Sequence, residues 1–316
     1  MALHLVIGAG EFLGDHVSRA LAGEVPVIAI SADADDETLG EAINAVEVVH
    51  ICAQTWSPVH RLRYRTAAPS LLKRIVEAGH VAGVRRIVLV STADVFGPDH
   101  FKRISEKSKL RPVHAYERLK LFEEEWLRIA AADLQVVVVR PARVFGVGED
   151  SILPRLMSSV ARGRLWLPGG GRARQTFVSA ADVGRACLAA ADRGRPGHSY
   201  LVAGFDASWR DLLESASRSV GLEPDIASLP YDLAYLKALA NEATTSPGAV
   251  VWPGLFAIDA IGKPHSYDDS HSRRELTWSP SVGSFEQEMP QMAKWLAELM
   301  AGVQAPVTSP PSRSPS

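Results

Sequence analysis

Residues 3–14 read Leu3-His4-Leu5-Val6-Ile7-Gly8-Ala9-Gly10-Glu11-Phe12-Leu13-Gly14, an apolar run that breaks at glycine and resumes with helical spacing. A strand that feeds through a glycine turn straight into a helix is the opening unit of a parallel sheet with crossover helices. The pattern repeats outward from there. Apolar runs at Leu3–Ile7, Val25–Ile30, Val46–Ile51, Arg86–Val90, Gln135–Val139 and Tyr200–Val202 predict strands. Helical patterns near Phe12–Leu21, Asp36–Ala45, Ala67–Ala78 and Ala115–Ala131 alternate with them. RIVLV (86–90) and QVVVVR (135–140) are continuous β-branched runs, as expected of central strands covered on both faces. The expected fold is α/β, a doubly wound parallel sheet. Beyond Phe145 the alternation loosens at Pro154, LPGGG and Pro196-Gly197, which predicts a smaller C-terminal lobe. The expected division is a core of 1–150 completed by about 178–203, a lobe of 151–177 and 204–300, and a disordered Pro/Ser tail over 301–316.

The glycines in that opening unit have separable tasks. Gly8 allows the tight turn, Gly10 admits a close-lying pyrophosphate, and Gly14 lets the helix pack on the sheet. This predicts dinucleotide binding at the first helix. Glu11 works against it, because a carboxylate beside a pyrophosphate is repulsive unless it points away. A ribose-binding acid belongs about 20 residues further on, at the end of the second strand. Asp33 stands there, with turn formation as its competing role, while Asp35 and Asp36 also suit a helix cap. No Arg or Lys lies between Arg19 and Arg61 to neutralise a 2′-phosphate, so NAD is the expected cofactor, with NADP as the alternative.

Tyr116 and Lys120 stand at i and i+4 of one helix and so face the same way. A free phenol titrates near pH 10, and a nearby cation stabilises its anion and brings proton transfer into range. RIVLV delivers Ser91 and Thr92 to the carboxyl end of its strand, the rim where ligands bind in such sheets. Glycine loop, strand-end hydroxyl and helical Tyr/Lys pair occur in chain order with domain-scale spacing.

In these segments the chain resembles the extended short-chain dehydrogenase/reductases, in their NAD-dependent epimerase/dehydratase branch, over roughly residues 3–298. VLVSTADVFG is similar to the family's strand and turn around the catalytic Ser/Thr, and the match on VFG assigns that role to Thr92. YERLK matches its Tyr-Lys pair. RPARVFGVGED (140–150) resembles the segment covering the nicotinamide side, and QTFVSAADVGRACLAA the later return to the core, with Asp182 in the family's aspartate position. SYDDSHSRRELTWSP resembles its closing turn. The resemblance implies a Rossmann-like fold with a small substrate-binding lobe, and hydride transfer between nicotinamide and a carbinol or ketone carbon. Tyr116 would exchange the proton, Lys120 would lower its pKa and hold the nicotinamide ribose, and Thr92 would orient the substrate oxygen. To Gly8, Gly10, Gly14 and Asp33 it adds Phe12, Leu13, Ala53, Lys120, Arg140, Pro141 and Val144 as cofactor contacts. The chain also departs from the family. Glu11 stands at a usual glycine, the segment after VIAI is short, and an asparagine expected near Tyr64 is missing. Ala93-Asp94 replaces the Asp-Glu pair of dehydratases, which argues against dehydration.

Composition sets the outer bounds. The 316 residues are 47% hydrophobic and 22% charged, enough for a packed core. A formal net charge of -2 gives no reason to expect nucleic acid as a partner. Two cysteines, Cys52 and Cys187, make no disulfide framework, and no apolar run approaches the ~20 residues of a membrane helix. A cytoplasmic enzyme acting on a small molecule is expected, with no membrane partner. Ten histidines show no metal-site spacing, so no metal is expected. Arg61, Arg63, Arg65, Arg85 and Arg86 are read as basic clusters near the active-site rim, chiefly solvated. Gln175 stands where sugar-nucleotide epimerases keep a diphosphate arginine. His114 is read as a loop histidine, and Leu119, Phe122, Trp126 and Ile129 as a mainly core stripe whose helix could pair in a homodimer. Two other functions remain open: a nucleotide-sugar epimerase with tightly held NAD, and a non-catalytic nucleotide sensor or scaffold.

Overall fold

The structure, a computed structural model, describes residues 2–53, 68–98, 103–246, 249 and 251–304. Arg61, Arg63, Tyr64, Arg65 and the 305–316 tail lie outside the described residues. The first half alternates strand and helix: β1 (His4–Ile7), α1 (Phe12–Ala22), β2 (Val27–Ile30), α2 (Asp36–Asn44), β3 (Val48–Ile51), α3 (Ala68–Ala82), β4 (Arg86–Val90), α4 (Ala115–Ala130) and β5 (Gln135–Pro141). Then come β6 (Arg143–Phe145), α5 (Leu153–Ala161), β7 (Leu165–Pro168), β8 (Arg174–Ser179), α6 (Ala180–Arg193), β9 (Ser199–Val202), β10 (Phe205–Ser208), α7 (Trp209–Ser219) and β11 (Ile226–Leu229). Helices α8 (Tyr231–Thr244), α9 (Leu255–Gly262), α10 (Ser270–Leu276) and α11 (Met289–Gln304) close the chain. No described helix is long and apolar enough to cross a membrane.

Six strands form one parallel sheet in the order β2-β1-β3-β4-β5-β9. Its register aligns the carboxyl ends: Ile7 lies opposite Ile30 and Ile51, and Val90 opposite Val139. Everything that follows those residues, including Gly8, Cys52, Ser91 and Pro141, therefore collects at one rim. β4 and most of β5 are buried because helices cover both faces, which is why their sequences are apolar without alternation. One apolar cluster joins Val6, Val88 and Val139 to α1 and α6; another joins Leu5, Ile87 and Val138 to α2, α3 and α4. A third core, around Phe145, Phe177, Trp209 and Phe285, holds the smaller sheets β10-β8-β6 and β11-β7 against α5, α7 and α11.

Three expectations need correction. Arg86 opens β4 and Arg85 precedes it, so both lie at the amino end of the sheet, opposite the rim that holds Gly8, Ser91 and Pro141. Nor is Arg86 solvated: its buried guanidinium bonds the Gln135 amide oxygen and the carbonyls of Ala190 and Ala191. Residues 301–304, expected within the tail, belong instead to α11, which continues through Gln304. The α4 stripe is not mainly core. Leu119 is buried, but Phe122 and Ile129 are exposed.

Candidate active site

Helix α1 begins immediately after the glycine turn, and the reason is steric. Gly14 faces the Gly8 carbonyl so closely that a Cβ there would lie 1.8 Å from the oxygen. Gly10 has φ of 83°, a backbone favouring glycine, and a Cβ on it would meet nothing within 4 Å. The loop therefore presents open space above Gly10 and a tight seam below Gly14, a shape that fits a dinucleotide phosphate. The charges fit less well. The Gly10 N–H donates to the Asp15 carboxylate at 2.7 Å, and Glu11 is the residue preceding α1.

Thr92 and Tyr116, well separated in the chain, line one open cleft. Phe12, Leu13, Pro141 and Val144, all expected cofactor contacts, form part of its wall. Ile152, Trp209 and Phe256 close it from the other side, where α7 and α9 contribute. Thr92 reaches the cleft because β4 ends at Val90 and the chain turns into a short 3-10 segment, Ala93–Phe96. Its hydroxyl accepts the Asp94 N–H at 3.1 Å and donates to the Asp94 carboxylate at 3.1 Å. Asp94 is paired in turn with Arg143, at 3.1 Å and 3.3 Å. Ser91 also lines the cleft, but its hydroxyl donates to the buried Glu124 carboxylate at 2.6 Å, whereas that of Thr92 bonds only within its own turn, to Asp94.

Helix α4 buries charge as well as apolar surface. Lys120, Glu123, Glu124 and Leu127 are buried on it at helical spacing. Its first turn is fixed by Glu117, whose carboxylate accepts the N–H of Val113 at 2.5 Å and of His114 at 2.9 Å. Burial raises the Glu117 pKa to about 7, against the pull of His114. Burial likewise pushes the Tyr116 phenol up to about 12, while Lys120 pulls it down. Burial opposes the Lys120 charge, but Glu123 at 2.9 Å and the nearby phenol outweigh it, so the ammonium is held.

The remaining expected residues divide. Ala53 is buried against Gly8, with its N–H only 2.9 Å from where a Gly8 Cβ would stand, which makes it a wall of the turn. Asp33 is exposed beyond β2, while Asp35 caps α2 by accepting the Thr38 N–H at 2.9 Å. Arg140 is not brought to the cleft. Its guanidinium is buried on Glu124 at 3.0 Å and 2.6 Å and lies over the Phe96 ring. Gln175 is turned to the α9 end, bonding the Lys263 carbonyl at 3.1 Å and that of Ala260. Asp182 accepts the N–H groups of Ser281 and Val282 and so pins the closing turn.

Several participants were not read from sequence. Arg74 of α3 reaches the Ala34 carbonyl at 2.6 Å and Asp36 at 2.5 Å, bringing a cation to the end of β2 from 40 residues away. His114 lies in the bend just before α4, as a loop histidine, but its ring is engaged: it stands at the N-cap position and bonds Asp259 of α9 at 2.9 Å. Only the unusual Ala93-Asp94 dipeptide hinted at the Asp94–Arg143 pair.

The family model for the NAD dependent epimerase/dehydratase family matches residues 4–203. A ketoreductase of Stigmatella aurantiaca, named for a 4-hydroxy-2-methyl-3-oxo-4-farnesyl-3,4-dihydroquinoline-1-oxide substrate, is 26% identical over 78% of this chain and 76% of its own. An uncharacterized Sinorhizobium fredii protein is 29% identical over 70% of this chain, and the match spans 55% of that relative's length. Among solved structures, Bacillus cereus UDP-glucuronic acid 4-epimerase, in complex with UDP-glucuronic acid and NAD, superposes with a TM-score of 0.73 at 18% identity. That match covers 94% of this chain and 99% of the epimerase. The likeness in fold runs nearly end to end, and the family model covers the whole six-stranded sheet with its glycine turn and its Tyr-Lys helix. This chain belongs to the NAD-dependent epimerase/dehydratase family.

Proposed function

We propose that the protein is a nicotinamide-dependent carbonyl reductase, with Tyr116 as proton donor, Thr92 as the hydroxyl that orients the substrate oxygen, and Lys120 as the cation beneath the phenol. The observation that carries this reading is the shared cleft: Thr92 and Tyr116 face it together, against a wall of Phe12 and Leu13 from the dinucleotide turn. Phe12, Leu13, Pro141 and Val144 would hold a nicotinamide there, and the group would supply the hydride when bound. Tyr116, with its pKa pushed up to about 12 by burial, is a protonated phenol throughout the neutral range. It is therefore set to give a proton to the oxygen of a ketone being reduced, and poorly set to take one from an alcohol. Thr92 donates to Asp94 at rest, and a substrate oxygen at the same hydroxyl competes with that bond. Glu123 keeps Lys120 charged and still. The Stigmatella aurantiaca relative is named a ketoreductase, which supports the same direction of chemistry.

For the adenosine end we propose NAD over NADP. Asp33 lies exposed where a ribose carboxylate partner belongs and would repel a 2′-phosphate, and Arg74 is already engaged by Asp36 and the Ala34 carbonyl. The test is titration of the purified chain with NADH and NADPH, followed by turnover over a panel of ketones. NADH binding with net oxidation against at least one ketone is expected. Binding of neither nucleotide would leave a non-catalytic scaffold, and an isomerised sugar without net oxidation would make the protein an epimerase.

A further inference from the structure

The substrate side of the cleft grips the catalytic helix at one place. Phe256 and Asp259, three residues apart on α9, face one way and meet the first turn of α4. The Phe256 ring stands edge-on to Tyr116, with centroids 5.5 Å apart, and edge-on to His114 at 5.6 Å. Asp259 takes the His114 ring nitrogen at 2.9 Å, and both side chains are largely buried, 11% and 5% exposed. The same carboxylate accepts the Tyr231 hydroxyl of α8 and lies 3.5 Å from Lys263. Helix α9 is itself held from below, since its Ala260 carbonyl accepts Trp209 Nε1 at 2.8 Å and the Gln175 amide.

From this we infer that His114 and Asp259 are positioning residues: the pair locks α9 onto the amino end of α4, so that Phe256 holds the Tyr116 ring in its reactive attitude. The inference rests on the reading of Tyr116 as proton donor. A half-buried phenol on the first turn of a helix has no backbone constraint on its outer torsion, so only neighbours fix its direction. Phe256 is the aromatic neighbour, and the His114–Asp259 bond sets its distance. The charged groups facing His114 are Glu117 on its own helix, Asp259 on α9 and Glu242 on α8. Burial opposes the imidazolium, yet these acids hold the His114 pKa above its usual value. The lock is therefore an ion pair below that raised pKa and weakens to a neutral hydrogen bond as pH rises through it.

The deciding measurement is fluorine NMR on protein carrying 3-fluorotyrosine, with the Tyr116 signal identified by its loss in Tyr116→Phe. In the native protein that signal is expected to move with pH above 6.5, to do so still in Glu117→Gln, and to stop in His114→Gln and Asp259→Asn. In a reductase assay the last two variants should lower kcat on the order of tenfold or more with the nucleotide Kd unchanged. Phe256→Leu, which spares the ion pair, should reproduce the kcat loss. A Tyr116 signal that ignores pH in the native protein overturns the inference, as does full kcat in His114→Gln. Absence of turnover in every protein would remove the reductase reading while the fluorine signal still decides the positioning.

Discussion

At the scale of single residues, the chemistry depends on which protonation state each side chain keeps. A phenol with a pKa pushed to about 12 serves as an acid across the neutral range and as a base only in the small fraction ionised. Ketone reduction should therefore hold steady from pH 6 to well above neutrality and be lost only as pH climbs toward the phenol's own value. The reverse oxidation should rise by about tenfold per pH unit over the same range. Paired rate–pH profiles check this; an oxidation rate that is flat across neutral pH would contradict it. Lys120→Ala should lower reduction because the phenol loses its cation, and the buried Glu123 would lose its ammonium contact. Glu11 marks the other charge question. It precedes α1, and Asp15 already takes the Gly10 N–H, so a pyrophosphate arriving there meets two acids. Glu11→Gly should tighten nucleotide binding about tenfold, read by calorimetry; an unchanged Kd would show that the carboxylate points clear of the phosphates.

At the scale of elements, β1 and β3 carry an unusual pair. His4, the first residue of β1, and His50 of β3 are both buried and stack with a 3.0 Å ring-nitrogen contact. Burial drives the His50 pKa down to about 3 and lowers that of His4 below 6.5. Both folded-state values lie beneath the unfolded one, so the unfolded chain binds more protons below pH 6.5. Stability is then full above that pH and falls as pH drops toward 3. His50→Leu should shift the acid-unfolding midpoint, followed by circular dichroism, to lower pH; an unmoved midpoint would show that other groups govern acid unfolding. The turn before α1 is less forgiving. Gly14→Ala puts a methyl 1.8 Å from a backbone oxygen and should cost about 1–3 kcal/mol or more in denaturant unfolding, and an unaltered midpoint would mean that the turn relaxes. How far sequence could see follows from the same elements. Strands of the main sheet and helices α1 to α4 were legible because the strands are continuous apolar runs bounded by local breakers, as in RIVLV and the glycine turn, and the helices carry their own periodicity. Strands β6, β7, β10 and β11 were not, because their short runs mix in polar residues or end in proline and gain their pairing from distant chain. The site divided likewise. Thr92, Tyr116 and Lys120 follow from strand-end and i, i+4 logic, whereas His114–Asp259 spans 145 residues and Arg74–Ala34 spans 40.

At the scale of the whole molecule, we propose that residues 151–177 and 204–300 form a substrate lobe standing over a sheet core of 1–150 and about 178–203. The lobe faces the cleft through Ile152, Trp209 and Phe256, and the core through Thr92, Tyr116 and the glycine-turn wall. Catalysis on this plan needs both, since neither contributes a complete pocket. The outer face of α4 bears Phe122 and Ile129, 45% and 79% exposed, an apolar surface suited to a second copy. A homodimer is expected by light scattering, and Ile129→Glu should weaken it; a strictly monomeric native protein would remove the proposal. The central claim is chemical, that the Tyr116 phenol delivers the proton in a nicotinamide-dependent carbonyl reduction. Its most direct test is the rate of ketone reduction by the native protein and by Tyr116→Phe, each saturated with the same reduced nucleotide. The account predicts normal nucleotide binding in both and turnover lost by a factor on the order of a hundred or more in the variant. Equal turnover in the two proteins would contradict it.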